Sequence, residues 1–334
     1  MASSLHAGYY TGVPPQATGA AKVYRATGFT CAAIPARMDD TTKNKQETMS
    51  IDLHTHSTAS DGTVSPTELI RQAKDIGLDA IALTDHDTIQ GIPEALAAGR
   101  ELGMEVIPGC ELSLESPEGA GWMHVVALWV PENPVELQAA FDWVIEGRRT
   151  RNHEIVEKLR SLGVNTTYER IAARAGGTVG RPHFAQELLA LGVVSSIDEA
   201  FKVWLGDNGR AYVPKRKLKP EKALGILRDI GATSILAHPF ALELNNAKTE
   251  ELVHDLMGYG LEGIEVYYTE HSQAQTDAYR GIAERLGLLV SGGSDYHGTV
   301  KPAISLGKGR GGLNVPTELL DRMKEHRRQK GLPV

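Results

Sequence analysis

Asp52-Leu53-His54-Thr55-His56-Ser57 stands where a short apolar run, residues 50–53, comes to its end. Alternate residues of an extended chain face the same way, so His54 and His56 can point together into one site. Two imidazoles at that spacing suit a transition metal. Working outward, further β-branched and apolar runs fall at 79–83, 105–108, 123–130, 233–237, 262–267 and 288–291. Helix signals fill most intervals between them. Ser65-Pro66-Thr67-Glu68 combines a capping box with proline at the first helical position, and Gly77 ends that helix. Other helices are predicted at 92–102, 220–230, 249–257, 273–286 and 316–330. This alternation predicts parallel strands covered by helices, as a closed barrel or an open doubly wound sheet.

Histidines and acids recur just past the carboxyl ends of these runs. Thr84-Asp85-His86-Asp87 follows the second and Gly109-Cys110-Glu111 the third; Ala237-His238-Pro239 follows the fifth and Gly293-Ser294-Asp295-Tyr296-His297 the seventh. Barrel active sites lie at that end of the strands. A random scatter of 12 histidines would not sort in this way. His124 departs from the rule, because it falls at the start of its strand. Asp52 and Asp85 neighbour these positions and either orient imidazoles or cap nearby backbone.

Bulk properties narrow the class. The 334 residues carry a net charge of −7, so no global positive field draws long nucleic acid. Cys31 and Cys110 form no disulfide framework or zinc knuckle, no apolar run approaches a membrane span, and a reducing cytoplasm is the expected location. Residues 1–48 are rich in Gly, Ala, Thr and Pro, without an acidic residue before Asp39, and are expected to be a disordered extension.

Between residues 131 and 219 the rhythm changes to helices with little strand. One long or kinked helix is predicted at 136–162 and another at 182–191, and Ser196-Ile197-Asp198-Glu199 is a further capping box. Residues 143–219 hold 14 Lys and Arg against 8 Asp and Glu, a sign reversal within an acidic chain. The expected organisation is a barrel from residues 49–130 and 220–334, with 131–219 as an inserted cap.

The ordered set DLHTHS at 52–57, SDG at 60–62, TDHDT at 84–88, GCE at 109–111, His124, AHP at 237–239 and GSDYH at 293–297 resembles the PHP (polymerase and histidinol phosphatase) family. The resemblance spans essentially all of residues 50–305. It implies a distorted (β/α)7 barrel with a helical insertion after the fourth strand, and a metal-dependent phosphoesterase. Carried over, His54, His56, Glu111 and Asp295 hold one metal. Glu111, His124 and His238 hold a second, and Asp61, His86 and His297 a third. The third depends on an aspartate at 61 where some relatives have histidine. Two or three divalent ions are thus implied, Mn²⁺ first and Zn²⁺ or Fe²⁺ as alternatives, with water held at Glu111 and its partners as the nucleophile. The general acid is unassigned. The complete ligand set argues against a non-catalytic accessory module.

The branch resembled is that of nucleoside 3′,5′-bisphosphate phosphatases, whose relatives include 5′→3′ exoribonucleases on short RNA; a histidinol-phosphate phosphatase is the other alternative. The implied substrate is a small nucleotide or short oligoribonucleotide. Arg181 and His183 flank Pro182 at a helix start, where free N–H groups favour an anion. Arg181 can clamp a phosphate by two parallel hydrogen bonds, and Arg148, Arg151 and Lys215 are further candidates. The extension at 1–48 is expected to be dispensable: its deletion should leave unfolding midpoint and phosphatase turnover unchanged, and loss of either would refute this.

Overall fold

The computed structural model describes residues 50–175 and 179–334, so the extension at 1–48 lies outside the described residues. Strands β1 (Ile51–Asp52), β2 (Ala80–Leu83), β3 (Glu105–Leu114), β4 (Met123–Leu128), β5 (Thr233–Leu236), β6 (Gly263–Tyr268) and β7 (Leu289–Gly293) lie side by side in chain order. Leu53 N–H donates to Gly292 O at 3.1 Å and Thr55 bridges Tyr296, which curls β1 towards β7 into a nearly closed barrel. Helices α1 (Pro66–Asp75), α2 (Ile92–Leu102), α7 (Pro220–Asp229), α8 (Asn246–Tyr259), α9 (Gln273–Leu286) and α10 (Glu318–Gln329) alternate with the strands. The local signals act at two helices, although Glu68 turns its carboxylate to Arg71 and Gln72, so the reciprocal half of the predicted capping box is not made. Ser65 Oγ accepts from Glu68 N–H ahead of Pro66, and Gly103 closes α2 in the left-handed region.

The all-parallel expectation fails at one strand. β4 is antiparallel to both β3 and β5. Residues 115–122 are too short a link for a parallel crossover, so the chain turns back as a hairpin. β3 also runs on to Leu114, six residues beyond the expected end. Pro108 and Gly109 look like a stop, but Pro108 lacks only its donor; its carbonyl accepts from Val130 N–H. Glu111 therefore lies inside a strand rather than after one.

Between β4 and β5 come α3 (Val135–Ser161), α4 (Tyr168–Ala172), α5 (Arg181–Ala190), α6 (Ile197–Glu199) and a π-helical turn at Ala200–Leu205. Ser196 caps Glu199 N–H as predicted, but Glu199 turns its carboxylate to Ser195, so the reciprocal half of the box is not made. α3 joins two cores. Leu137, Ala140, Phe141 and Val144 repeat at helical spacing and pack with Val125, Leu224 and Leu227 beside the barrel. About three turns on, Ile155, Val156 and Leu159 pack with Ile171, Phe184, Leu188 and Trp204 in a core of the insertion's own. Among the described residues no helix is long and apolar enough to cross a membrane.

Phe141 is wholly buried where α3 meets the barrel. Truncation to Ala should cost about 3–5 kcal/mol in chemical denaturation; a loss below about 1 kcal/mol would mean that this end of α3 does not anchor the insertion.

Candidate metal centre and phosphate site

Chain leaving the carboxyl ends of parallel strands carries His54 and His56 after β1, His86 after β2, His238 after β5, and Asp295 with His297 after β7. The hairpin brings in the other two. Because β4 runs backwards, its first residues lie at the mouth where its neighbours end, which is why His124 sits at a strand start. Ser113 pairs with His124 and Glu111 with Val126, so Glu111 and His124 are diagonal neighbours on one face. Gly293 permits the closest approach: a Cβ there would run into His54, so only glycine lets β7 deliver Asp295 against β1. His238 and Asp295 have positive φ (27° and 56°), a costly backbone that persists where surroundings hold it. His238 N–H donates to Glu265 and Asp295 N–H to His54 O.

The buried Glu111 carboxylate is the hub. Oε1 lies 2.8 Å from both His124 Nδ1 and His238 Nε2. Oε2 lies 2.8 Å from His86 Nδ1, 3.3 Å from His54 Nε2 and 3.4 Å from His56 Nε2. Asp295 Oδ1 is 3.1 Å from His56 Nε2 and 3.7 Å from His54 Nε2. Asp61, more exposed, reaches His297 Nε2 at 3.3 Å and His86 Nε2 at 3.8 Å. All nine predicted ligand residues meet at one mouth. Their donor atoms form four overlapping groups: His54 with His56 and Asp295; His54 with Glu111 and His238; His86 with Glu111 and His124; and His56 with Asp61, His86 and His297. His86 differs from the expected partition, since it faces Glu111 through one ring nitrogen and Asp61 through the other.

These residues fit divalent cations. Buried His54 Nε2, both ring nitrogens of His56, His86 Nδ1, Glu111 Oε2 and His238 Nδ1 have no hydrogen-bond partner among the described residues. His86 Nδ1 and Glu111 Oε2 are close, yet misaligned for a bond. Each orphan would cost about 1–3 kcal/mol on its own, so such a crowd is sustained by a ligand that accepts several lone pairs at once. Imidazole and carboxylate donors suit Mn²⁺, Fe²⁺ or Zn²⁺. Cys110 adds no thiolate, because it packs into the apolar cluster on the other face of β3.

The electrostatics are divided within the cluster. Burial alone would raise the Glu111 carboxyl, but His86, His124 and His54 hold it well below the usual carboxylate range. Burial opposes charge on His86, yet Glu111 beside it pushes the ring up to about 9. Burial takes His56 down to about 3 and His124 to about 4. A cation that took His86 as a ligand would displace its proton, so metal binding and acid would compete there.

The PHP domain family profile matches residues 52–247. A 5′-3′ exoribonuclease of Haemophilus influenzae is 36% identical over 250 residues, 75% of this chain and 90% of the relative. A 3′,5′-nucleoside bisphosphate phosphatase of Chromobacterium violaceum is 31% identical over 249 residues, 74% and 87% of the two chains. A solved Chromobacterium violaceum amidohydrolase with bound sulfate aligns with TM-score 0.67 at 29% identity, covering 82% of this chain and 96% of its own. The chain belongs to the PHP domain family. It is accordingly a metal-dependent phosphoesterase.

The supports of this PHP centre differ in part from expectation. Asp52 accepts from Ser294 N–H, Ser294 Oγ and Gly307 N–H, and Asp85 from Ser57 N–H, Ser57 Oγ and Ser60 Oγ. Both tie loops together; neither orients an imidazole. That role falls to Glu265 of β6, which sequence reasoning missed. Its Oε1 is 3.1 Å from His54 Nδ1 and its Oε2 accepts from His238 N–H at 2.6 Å. The one signal was an acid inside the apolar run Gly263-Ile264-Glu265-Val266. Tyr268 Oη and Lys301 Nζ donate to Asp295 Oδ2, leaving Oδ1 to the histidines.

The basic residues of the insertion gather beside the PHP centre. A Cβ at Gly147 would strike Arg216, so glycine lets the segment before α7 lie flat on α3 and brings Lys215 to Arg148. Lys215 Nζ is 3.0 Å from Asp87 Oδ2 and 3.1 Å from Ser113 Oγ, and Arg148 is 3.5 Å from the same Asp87 oxygen. Arg151 is buried: Nη2 donates to Asn152, while Nε has no partner among the described residues. Burial, with Arg148 and Arg181 nearby, lowers it to about 10. Arg181 donates to Leu205 O and pairs with exposed Asp207 at 3.4 Å. His183 spends Nδ1 accepting Gly180 N–H, capping its own helix. Lys217, within the field of Asp207, Asp87 and Arg181, was not singled out by the sequence.

Glu265→Gln keeps the shape but loses the charge behind His54. Divalent-ion affinity should fall about 10–100-fold in a calorimetric titration while the fold is kept; unchanged affinity would remove Glu265 from the centre.

Proposed function

We propose that this phosphoesterase hydrolyses the 3′-phosphate of nucleoside 3′,5′-bisphosphates, with residues 131–219 serving as a cap that holds the second phosphate. The nine ligands described above are assigned to two or three divalent ions, Mn²⁺ foremost. Ions held there would neutralise phosphoryl oxygens and lower the pKa of water. Glu111 and Asp295 then supply the shared negative charge, and Glu265 fixes the face that His54 presents.

The buried, partly unpartnered Arg151 carries this reading. A guanidinium with two like charges close by and no carboxylate partner among the described residues is unfavourable unless an anion completes it. Arg148 and Lys215 connect that cluster to Asp87, immediately after the ligand His86. Two phosphate-recognising zones side by side suit a substrate with two phosphates, and Arg181 would reach the same anion by exchanging Asp207. The Chromobacterium violaceum relative is named for that substrate class.

A second reading, 5′→3′ exoribonuclease action on short RNA, draws on the name of the Haemophilus influenzae relative.

Arg151→Met and Arg181→Ala should each raise KM for adenosine 3′,5′-bisphosphate about ten-fold or more while p-nitrophenyl phosphate is scarcely affected. Equal effects on both compounds would remove the phosphate clamp. Faster release of nucleotides from a 5′-phosphorylated trimer than of phosphate from the bisphosphate would favour the exoribonuclease.

A further inference from the structure

Trp122 has no role in the chemistry described so far, and its position gives it one. It lies at the end of the link between β3 and β4 and is 43% exposed. Its ring centroid is 4.8 Å from that of His124 and 4.5 Å from that of His238, the two histidines that share Glu111 Oε1. The placement is held by backbone. Trp122 N–H donates to Ala241 O and Gly121 N–H to Leu242 O, and a Cβ at Gly121 would collide with Ala241 O. The link is therefore stitched to the turn at Pro239–Leu242 directly after His238, which fixes the backbone from which the indole projects.

A single exposed aromatic is ordinary on a protein surface. The other three tryptophans show what separates this one. Arg327 lies over Trp129, Arg210 over Trp204, and Arg216 and Lys222 over Trp143. Among the described residues, Trp122 alone has no cation on its ring. An indole anchored by backbone, packed at one side on candidate metal ligands and otherwise open, is a stacking surface at the mouth of the phosphate site.

We propose that Trp122 is a specificity-determining residue that stacks on the base of the nucleotide whose phosphate is cleaved. It would make the enzyme select nucleosides over plain sugar phosphates, and it rests on the nucleotide reading above. Stacking of this kind is tolerant of base identity, because every base presents a π face. Purines should nevertheless gain more than pyrimidines, since they cover more of the indole.

The test compares Trp122→Ala and Trp122→Phe with the wild-type chain loaded with Mn²⁺, on adenosine 3′,5′-bisphosphate and on ribose 3,5-bisphosphate lacking the base. Trp122→Ala should raise KM for the nucleotide about ten-fold with kcat little changed, within the range that base–aromatic stacking supports. The base-free compound should be unaffected, and Trp122→Phe should recover most of the loss. As a readout independent of turnover, adenosine 5′-monophosphate should quench wild-type tryptophan fluorescence but not that of Trp122→Phe, which retains the other three indoles. Equal losses on both compounds would show that Trp122 only supports His124 and His238, and unchanged KM with unchanged quenching would show no contact with the base. A wild-type chain that cleaves neither compound and binds no adenosine 5′-monophosphate would overturn the nucleotide reading, and this inference with it.

Discussion

One buried carboxylate organises this protein. Glu111 is inaccessible to solvent, and five imidazoles lie within 3.4 Å of its two oxygens. A charge so placed is tolerable only if partners surround it. Those partners come from β1, β2, β4 and β5, so almost every strand must stop where its histidine can reach the same point. Barrel closure at β1 and β7, the antiparallel hairpin and the left-handed backbone at His238 and Asp295 all serve that convergence. The cluster is poorly satisfied by its own hydrogen bonds, and this makes it a centre for cations rather than a structural ion-pair network.

The strongest coupling to the rest of the molecule runs through acids of two kinds. Asp52 and Asp85 collect backbone and hydroxyl donors and so fix the loops that carry ligands. Glu265 acts on the ligands themselves, spanning His54 and the backbone of His238. Asp87 looks the other way. It ties the centre to Lys215 and Arg148 of the insertion, so barrel and insertion share one polar network although their apolar cores are separate. α3 is the mechanical counterpart, a single helix with one half in each core.

Much of this was legible in the linear chain, for local reasons. Most of the candidate ligands sit beside strand ends, where apolar runs and capping signals are readable, and helix boundaries such as Pro66 and Gly103 act over three or four residues. Family motifs in fixed order then singled out the nine candidate ligand positions that meet at the mouth. Most of what escaped was not local. Whether Asp52 or Glu265 backs an imidazole depends on which carboxylate is nearer in space, and both precede or interrupt apolar runs in the same manner. The capping duty of His183 depends on a hydrogen bond to Gly180, three residues away, which the anion-binding reading of that helix start had overlooked.

The sequence by itself determined the alternation of strands and helices, the inserted helical segment with its reversed charge, and the kinds of donor available to a metal. Those properties are written in composition and short-range spacing. Only the tertiary structure decided that β4 runs backwards, that Glu111 lies within a strand as a hub, and that the indole of Trp122 rests against His124 and His238. Strand direction follows from the short hairpin link between β3 and β4, whereas the meeting of Trp122 with His238 comes from packing between residues more than a hundred positions apart, which no short window along the chain contains.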